Sequence, residues 1–223
     1  TNAVTGIDIS LADPDTDYDG MPDWQEIYFG SDPFVSNSFK RLPFVEMFET
    51  NTVAQGDING QNGWIAFPYN TALVATNNVY AGQQALEINA GNSTSTVRQI
   101  FADAGGIVWI DLYLKATPSE IPSSTLNVAG GYLIDRYGRL VVQDGLQPEG
   151  QKWVVLTNTS IVKGSWVRLS ARLDYNAQTW LICLDGYRVA DGLGFGAPLN
   201  ELRAVTLKAT RGFADNITVS TNT

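Results

Sequence analysis

Two stretches of the chain alternate apolar and polar residues with a period of two. In Ile107–Lys115, Val108, Ile110, Leu112 and Leu114 fall on one side, and Trp109, Asp111, Tyr113 and Lys115 on the other. In 165–174, Val167, Leu169, Ala171 and Leu173 oppose Trp166, Arg168, Ser170, Arg172 and Asp174. Successive side chains of a strand point to opposite faces, so this pattern predicts strands with one face in a core and the other available. Shorter runs rich in β-branched and aromatic residues recur at 63–67, 84–89, 96–101, 131–136, 140–143, 152–157, 178–184, 204–208 and 216–219. Gly, Asn, Asp and Pro separate them, as expected of strands joined by turns. No convincing helix follows residue 40. The expected fold is all-β, a two-sheet antiparallel sandwich.

Before that point the pattern changes. Residues 22–29 predict a short helix, with Pro22 at its start and Gly30 just past its end, followed by the turn sequence Gly30-Ser31-Asp32-Pro33. The chain is therefore divided into a spacer, 1–40, and a sandwich, 41–223. Charge respects the same division. Of the formal −9, residues 1–39 contribute eight acids and no base; the rest carries 15 acids against 14 bases. A nearly neutral sandwich is thus attached to an acidic segment, and without a basic surplus a nucleic-acid partner is not expected. The sequence has no His, which removes Ser-His-Asp mechanisms and His-ligated metals. Its single Cys183 removes internal disulfides and multi-thiolate zinc sites, and is expected as a small core residue. No apolar run reaches the ~18 residues needed to span a bilayer, and none reads as a signal peptide. The chain opens on Thr1 instead of Met, so a processed product or a piece of something longer is expected.

The acidity is patterned. Residues 15–26 fit D-x-D-x-D-G-x-x-x-x-x-E at every specified position. Asp15, Asp17 and Asp19 can turn carboxylates inward from a tightly curling backbone, and Gly20 permits the turn. Met21 would offer its carbonyl, Asp23 would bind directly or through water, and Glu26 would close the site in bidentate fashion. So many carboxylates repel one another without a cation, and the large oxygen set suits Ca2+ over Mg2+. The plain alternative is a solvated acidic linker. With Gly30-Ser31-Asp32-Pro33 behind it, the segment resembles one calcium-binding repeat of the thrombospondin type 3 or dockerin kind. True dockerins carry two such loops, so a pinned spacer is expected here instead of cohesin docking.

The longer part carries a resemblance of its own. Residues 165–169 lead from Trp166 into an alternating strand, and 179–186 form a second strand ending in Asp185-Gly186, a pair suited to positive φ. The region opens with Glu46-Met47-Phe48-Glu49 and 59–64, and closes with 212–219. Together these resemble the laminin-G or concanavalin A-like jelly roll of carbohydrate-binding modules. That resemblance implies adjacent first and last strands and a second structural calcium shared by Glu49 and Asp215; the alternative is two ordinary surface acids. It also implies an extracellular or cell-surface setting, in a bacterium.

For chemistry, the stripe Trp109, Asp111, Tyr113 and Lys115 would offer aromatic rings to the apolar faces of sugars and polar groups to their hydroxyls. Arg98, on a neighbouring candidate strand, and Trp166 with Arg172 would extend it. The plain alternative is a second packing layer of aromatics. Glucanases of this fold carry Glu-x-Asp-x-x-Glu on one strand, which is missing here, and the Gln-Ile-His strand of jelly-roll lyases is replaced by Gln99-Ile100-Phe101. Glu87 and Asp111 are the acids left for a hydrolase or lyase. The expectation is a non-catalytic polysaccharide- or glycan-binding module with structural calcium. The alternatives are an adhesive module contacting other protein subunits in a surface fibre, and a glycan-active enzyme. Asn92, Asn158 and Asn216 head glycosylation sequons, relevant only in a eukaryotic secretory host.

Overall fold

The computed structural model describes residues 16, 17, 23, 27, 32–34 and 40–221, the side chain of residue 103 excepted. Its strands are β1 (Phe44–Glu46), β2 (Gly56–Asp57), β3 (Trp64–Phe67), β4 (Ala72–Ala75), β5 (Ala85–Asn89), β6 (Ser95–Gly105), β7 (Ile107–Lys115), β8 (Tyr132–Ile134), β9 (Leu140–Asp144), β10 (Lys152–Val155), β11 (Trp166–Asp174), β12 (Thr179–Leu184), β13 (Tyr187–Gly194), β14 (Glu201–Ala209) and β15 (Arg211–Thr221). Every strand pairing is antiparallel. One nine-stranded sheet runs β13–β12–β11–β7–β15–β5–β4–β2, with β1 also on β15. Two three-stranded sheets, β14–β6–β3 and β10–β9–β8, complete the sandwich. The all-β expectation holds.

One apolar cluster joins the sheets. Val108 and Leu112 of β7, Leu169 and Leu173 of β11, and Trp180 and Ile182 of β12 meet Trp64, Val97 and Phe101 from β3 and β6 and Leu140 and Val142 from β9. The alternation of β7 and β11 therefore sorts as expected, with Ile110 and Leu114 partly buried against the same cluster. Phe44 packs edge-on against Phe101 at 5.4 Å, and Phe48 lies 5.6 Å from Trp64. Glu46 is fully buried beside them, yet its carboxylate accepts the Phe48 N–H, the Thr52 hydroxyl, the Asn62 amide and the Trp64 indole N–H. A buried charge needs such a ring of donors.

β15 sits near the centre of the large sheet. Along one edge it pairs with β7; along the other its 211–214 portion pairs with β5 and its 217–219 portion with β1. The first and last strands are thus neighbours, as the resemblance implied. A bulge between Asp215 and Thr218, with Asn216 at φ 48°, re-aims the side chains there. Asp185 and Gly186 take φ 51° and 85°, the expected hairpin turn between β12 and β13.

Two of the predicted calcium ligands, Asp17 and Asp23, are described. The Asp23 carboxylate accepts the Thr16 N–H at 2.7 Å and its hydroxyl at 2.6 Å. Asp23 and Ile27 are helical within the predicted 22–29 helix. Asp15, Asp19, Met21 and Glu26 lie outside the described residues. Among the described residues, no helix is long and apolar enough to cross a membrane.

Candidate binding face and carboxylate clasp

The outer face of the large sheet holds the predicted stripe. Strand register sets Cys183, Ser170, Asp111, Thr218 and Val45 in one row across β12, β11, β7, β15 and β1. The adjoining rows are Arg172, Trp109 and Ser220, and Arg168, Tyr113 and Asp215. Trp109 and Tyr113 are about 13 Å apart along β7, four residues at roughly 3.3 Å each. Between them lies an open depression of about 540 Å³, lined by Trp109, Asp111, Tyr113 and Arg168, with Asn216, Thr218 and Ser220 from β15 and Val45 and Met47 beside β1. That size lies within the range of small-molecule sites.

Asp111 and Arg168 form the polar centre. Arg168 Nε donates to both Asp111 oxygens, at 2.9 and 3.0 Å, and Nη2 donates to Oδ2. The Ser170 hydroxyl donates to the same Oδ2 at 3.2 Å. Hydrogen bonding to Asp111 and the charge of its carboxylate push the Arg168 guanidinium further up, so it is permanently cationic.

The other end of the face is covered by the β4–β5 connection. Tyr80 stacks on Tyr113 with centroids 3.6 Å apart and planes 17° from parallel, and meets Trp166 edge-on at 5.8 Å. Asp215, fully buried, holds this loop: Oδ2 accepts the N–H groups of Tyr80 and Ala81, each at 3.1 Å, and Oδ1 accepts that of Asn216 at 2.8 Å. Glu49 Oε1 accepts the Gln83 N–H at 2.8 Å. Gly82 touches that carboxylate so closely that a Cβ would come within 1.8 Å of Oε1. The two predicted calcium ligands therefore grip one loop from two sides. Burial lifts the Asp215 carboxyl above its ordinary range, three backbone N–H groups oppose this, and the charge of Glu49 adds to the lift. A cation beside both would relieve that repulsion, and two hard carboxylates suit calcium. No group of three or more acidic, His or Cys side chains converges among the described residues. Further oxygens would have to be backbone carbonyls or water.

Several expectations change. Lys115 does not line the depression: its ammonium donates to Asn78 of the β4–β5 loop and lies 5.6 Å from the Phe213 ring centroid. Arg98 belongs to β6 in the β14–β6–β3 sheet, so it does not adjoin the stripe. Trp166 packs under Tyr80, and Arg172 pairs with Asp174 at 3.2 Å. Cys183 is half-buried and in register with Ser170 on the outer face instead of in the core. Glu87 is opposite Phe213, and Phe213 opposite Lys115, two strands across and four residues along from Asp111. They are roughly 16 Å apart by strand geometry, too far for an acid pair acting on one glycosidic bond. Arg168 and Tyr80 are the residues sequence reasoning missed. The alternation of β11 already placed Arg168 on the right face, whereas nothing local marks Tyr80.

No protein-family model and no curated protein matches the chain. Solved structures do resemble it. A conserved carbohydrate esterase from the Shiga toxin-encoding bacteriophage phi24B superposes with TM-score 0.50 at 14% identity, over 81% of this chain and all of that one. A structure described with the endo-acting O-glycanases of human gut microbiota that initiate mucin breakdown gives 0.50 at 10% identity, over 81% of this chain and 99% of the other. A sialidase gives 0.47 at 15% identity, over 76% of this chain, which spans only 18% of that protein. At these identities the likeness is one of fold.

Proposed function

We propose that the chain is a non-catalytic carbohydrate-binding module of an extracellular or cell-surface protein, with calcium as a structural ion. The observation that carries this reading is the gathering of Trp109, Tyr113 and the Asp111–Arg168 pair around one open depression. Two aromatic rings on one strand offer flat apolar surfaces to sugar faces, and the ion pair between them supplies donors and acceptors for hydroxyls. Their spacing suits an oligosaccharide better than a single ring. The fold agrees, since two chains of the same fold are named for work on glycans. No catalytic residue is assigned. Calcium is proposed at the Asp15–Glu26 loop and between Glu49 and Asp215, where it would hold the Tyr80 loop on the binding face.

Retention on immobilised polysaccharides tests the reading: binding to at least one, reduced in Trp109→Ala, is expected. Failure to bind any of a broad polysaccharide panel contradicts it. A second reading, docking of this face on another protein subunit, rests on Val45 and Met47, which are 54% and 47% exposed at the rim. It predicts concentration-dependent self-association in sedimentation, lost in Val45→Ser with Met47→Ser.

A further inference from the structure

The depression is polar at its centre but carries no net charge. Resting on the carbohydrate-binding reading, we propose that it takes an uncharged polysaccharide, with Asp111 as the residue that excludes anionic ones. The arginines of β11 and β13 on this face, Arg168 at the centre of the depression among them, already have carboxylate partners. Arg168 is held by Asp111, Arg172 lies 3.2 Å from Asp174, and Arg188 lies 2.7 Å from Asp191. Lys115, the remaining nearby cation, donates to Asn78 of the Tyr80 loop. A uronate or sulfate entering the depression therefore meets a guanidinium whose Nε and Nη2 are committed to a carboxylate. It also meets that carboxylate's own negative charge, and bringing like charges together costs more than a shared guanidinium returns.

Neutral hydroxyls face no such conflict. A carboxylate and a guanidinium side by side present acceptors and donors in one plane, and a sugar hydroxyl is both donor and acceptor. The Ser170 hydroxyl steadies Asp111 from the neighbouring strand. The surrounding Asn216, Thr218 and Ser220 add polarity without charge. Recognition built this way depends little on ionic strength, because no counterions are released when ligand enters.

The experiment is calorimetric titration with neutral polysaccharides (galactomannan, xylan, laminarin) and polyanions (polygalacturonate, chondroitin sulfate). It is run at about 0.01 M and about 1 M salt, where the Debye length falls from about 30 to about 3 Å. Wild type is expected to bind at least one neutral polymer, with affinity changing less than about threefold across that range, and no polyanion. Asp111→Asn keeps the side-chain size and leaves Arg168 uncompensated. It is expected to lose about tenfold in neutral binding and to gain polygalacturonate binding at low salt only. Arg168→Lys, which lacks the planar fork, is expected to lose neutral binding without gaining the polyanion's. Polyanion binding by wild type that weakens steeply with salt overturns this inference while leaving a carbohydrate module standing. An Asp111→Asn protein with unchanged preferences also overturns it. Binding of neither class overturns both.

Discussion

Tyr80 lies flat against Tyr113, ring centroids 3.6 Å apart, although the two residues come from a loop and from the middle of β7. The contact depends on Asp215, whose carboxylate takes the backbone N–H groups of Tyr80 and Ala81. One face of Tyr113 is thus packed and its surroundings line the depression, so the ring is held in place before any ligand arrives. Pre-ordering of this kind lowers the entropic cost of binding.

Removing the stacking ring tests that support. Tyr80→Ala is expected to cost at least about 0.5–1.5 kcal/mol in urea unfolding, the worth of an aromatic pair beyond the area it buries. Hydrogen exchange reads it locally: the amides of Tyr80 and Ala81 should lose protection while those of β7 and β11 keep theirs. Unchanged exchange at 80 and 81 means that the loop is held without the stack.

Calcium has two expected contributions. A ligand that binds only the folded chain stabilises it, by about 2.7 kcal/mol at a hundred times its Kd, so chelation should lower the melting temperature. Asp17→Ala with Glu26→Ala should remove the part due to the acidic loop, and Glu49→Gln the part due to the clasp. Gly82→Ala should act on the clasp as well, since its φ of +73° disfavours a Cβ by about 1–2 kcal/mol and Glu49 stands in the way. A melting temperature indifferent to chelator in the wild type removes calcium from the account.

Acid stability has a separate prediction. Asp144 is buried; burial alone would raise its carboxyl, but bonds from the Gly194 N–H, the Gln147 amide and the Leu146 N–H bring it below the ordinary range. A carboxyl depressed on folding adds stability above its unfolded pKa of about 3.9 and loses it as pH falls through the folded value. Wild type should therefore lose stability below about pH 4. Asp144→Asn should be less stable at neutral pH by about 1–3 kcal/mol, with a shallower acid limb in pH-dependent urea melts. An acid limb identical to wild type would mean that other carboxyls set it.

Much of this architecture could be read from residues alone, and the failures have physical causes. β7 and β11 alternate strictly because one face meets the core and the other is open. Asp185-Gly186 announces its turn because few residues tolerate positive φ. The run 140–143 is found as β9, although all five of its residues are buried and it shows no alternation; its Gln143 amide pairs with the Leu126 backbone. β13 was missed, its pattern broken by Asp191-Gly192 and by irregular pairing with β12. β2 is only two residues long and β4 only four.

The site divides in the same way. Trp109, Asp111 and Tyr113 follow from local period, and Glu49 with Asp215 from the resemblance of the terminal strands. Arg98 was misplaced because periodicity says which face a residue takes but not which strand lies alongside. Tyr80 and the Asn78 partner of Lys115 come from the β4–β5 loop, a tertiary event with no local mark. Cys183 is different: two residues so placed that Trp180 and Ile182 face the core already put it outside.

The central claim is that the depression beside Trp109 binds a polysaccharide. Titration of one neutral polysaccharide into wild type, Trp109→Ala and Trp153→Ala tests it most directly, because Trp153 lies on β10 in a different sheet. The account predicts that Trp109→Ala loses about 2 kcal/mol or more of binding, roughly thirtyfold, while Trp153→Ala binds as wild type does. Equal affinity in Trp109→Ala and wild type, with both variants folded, would contradict it.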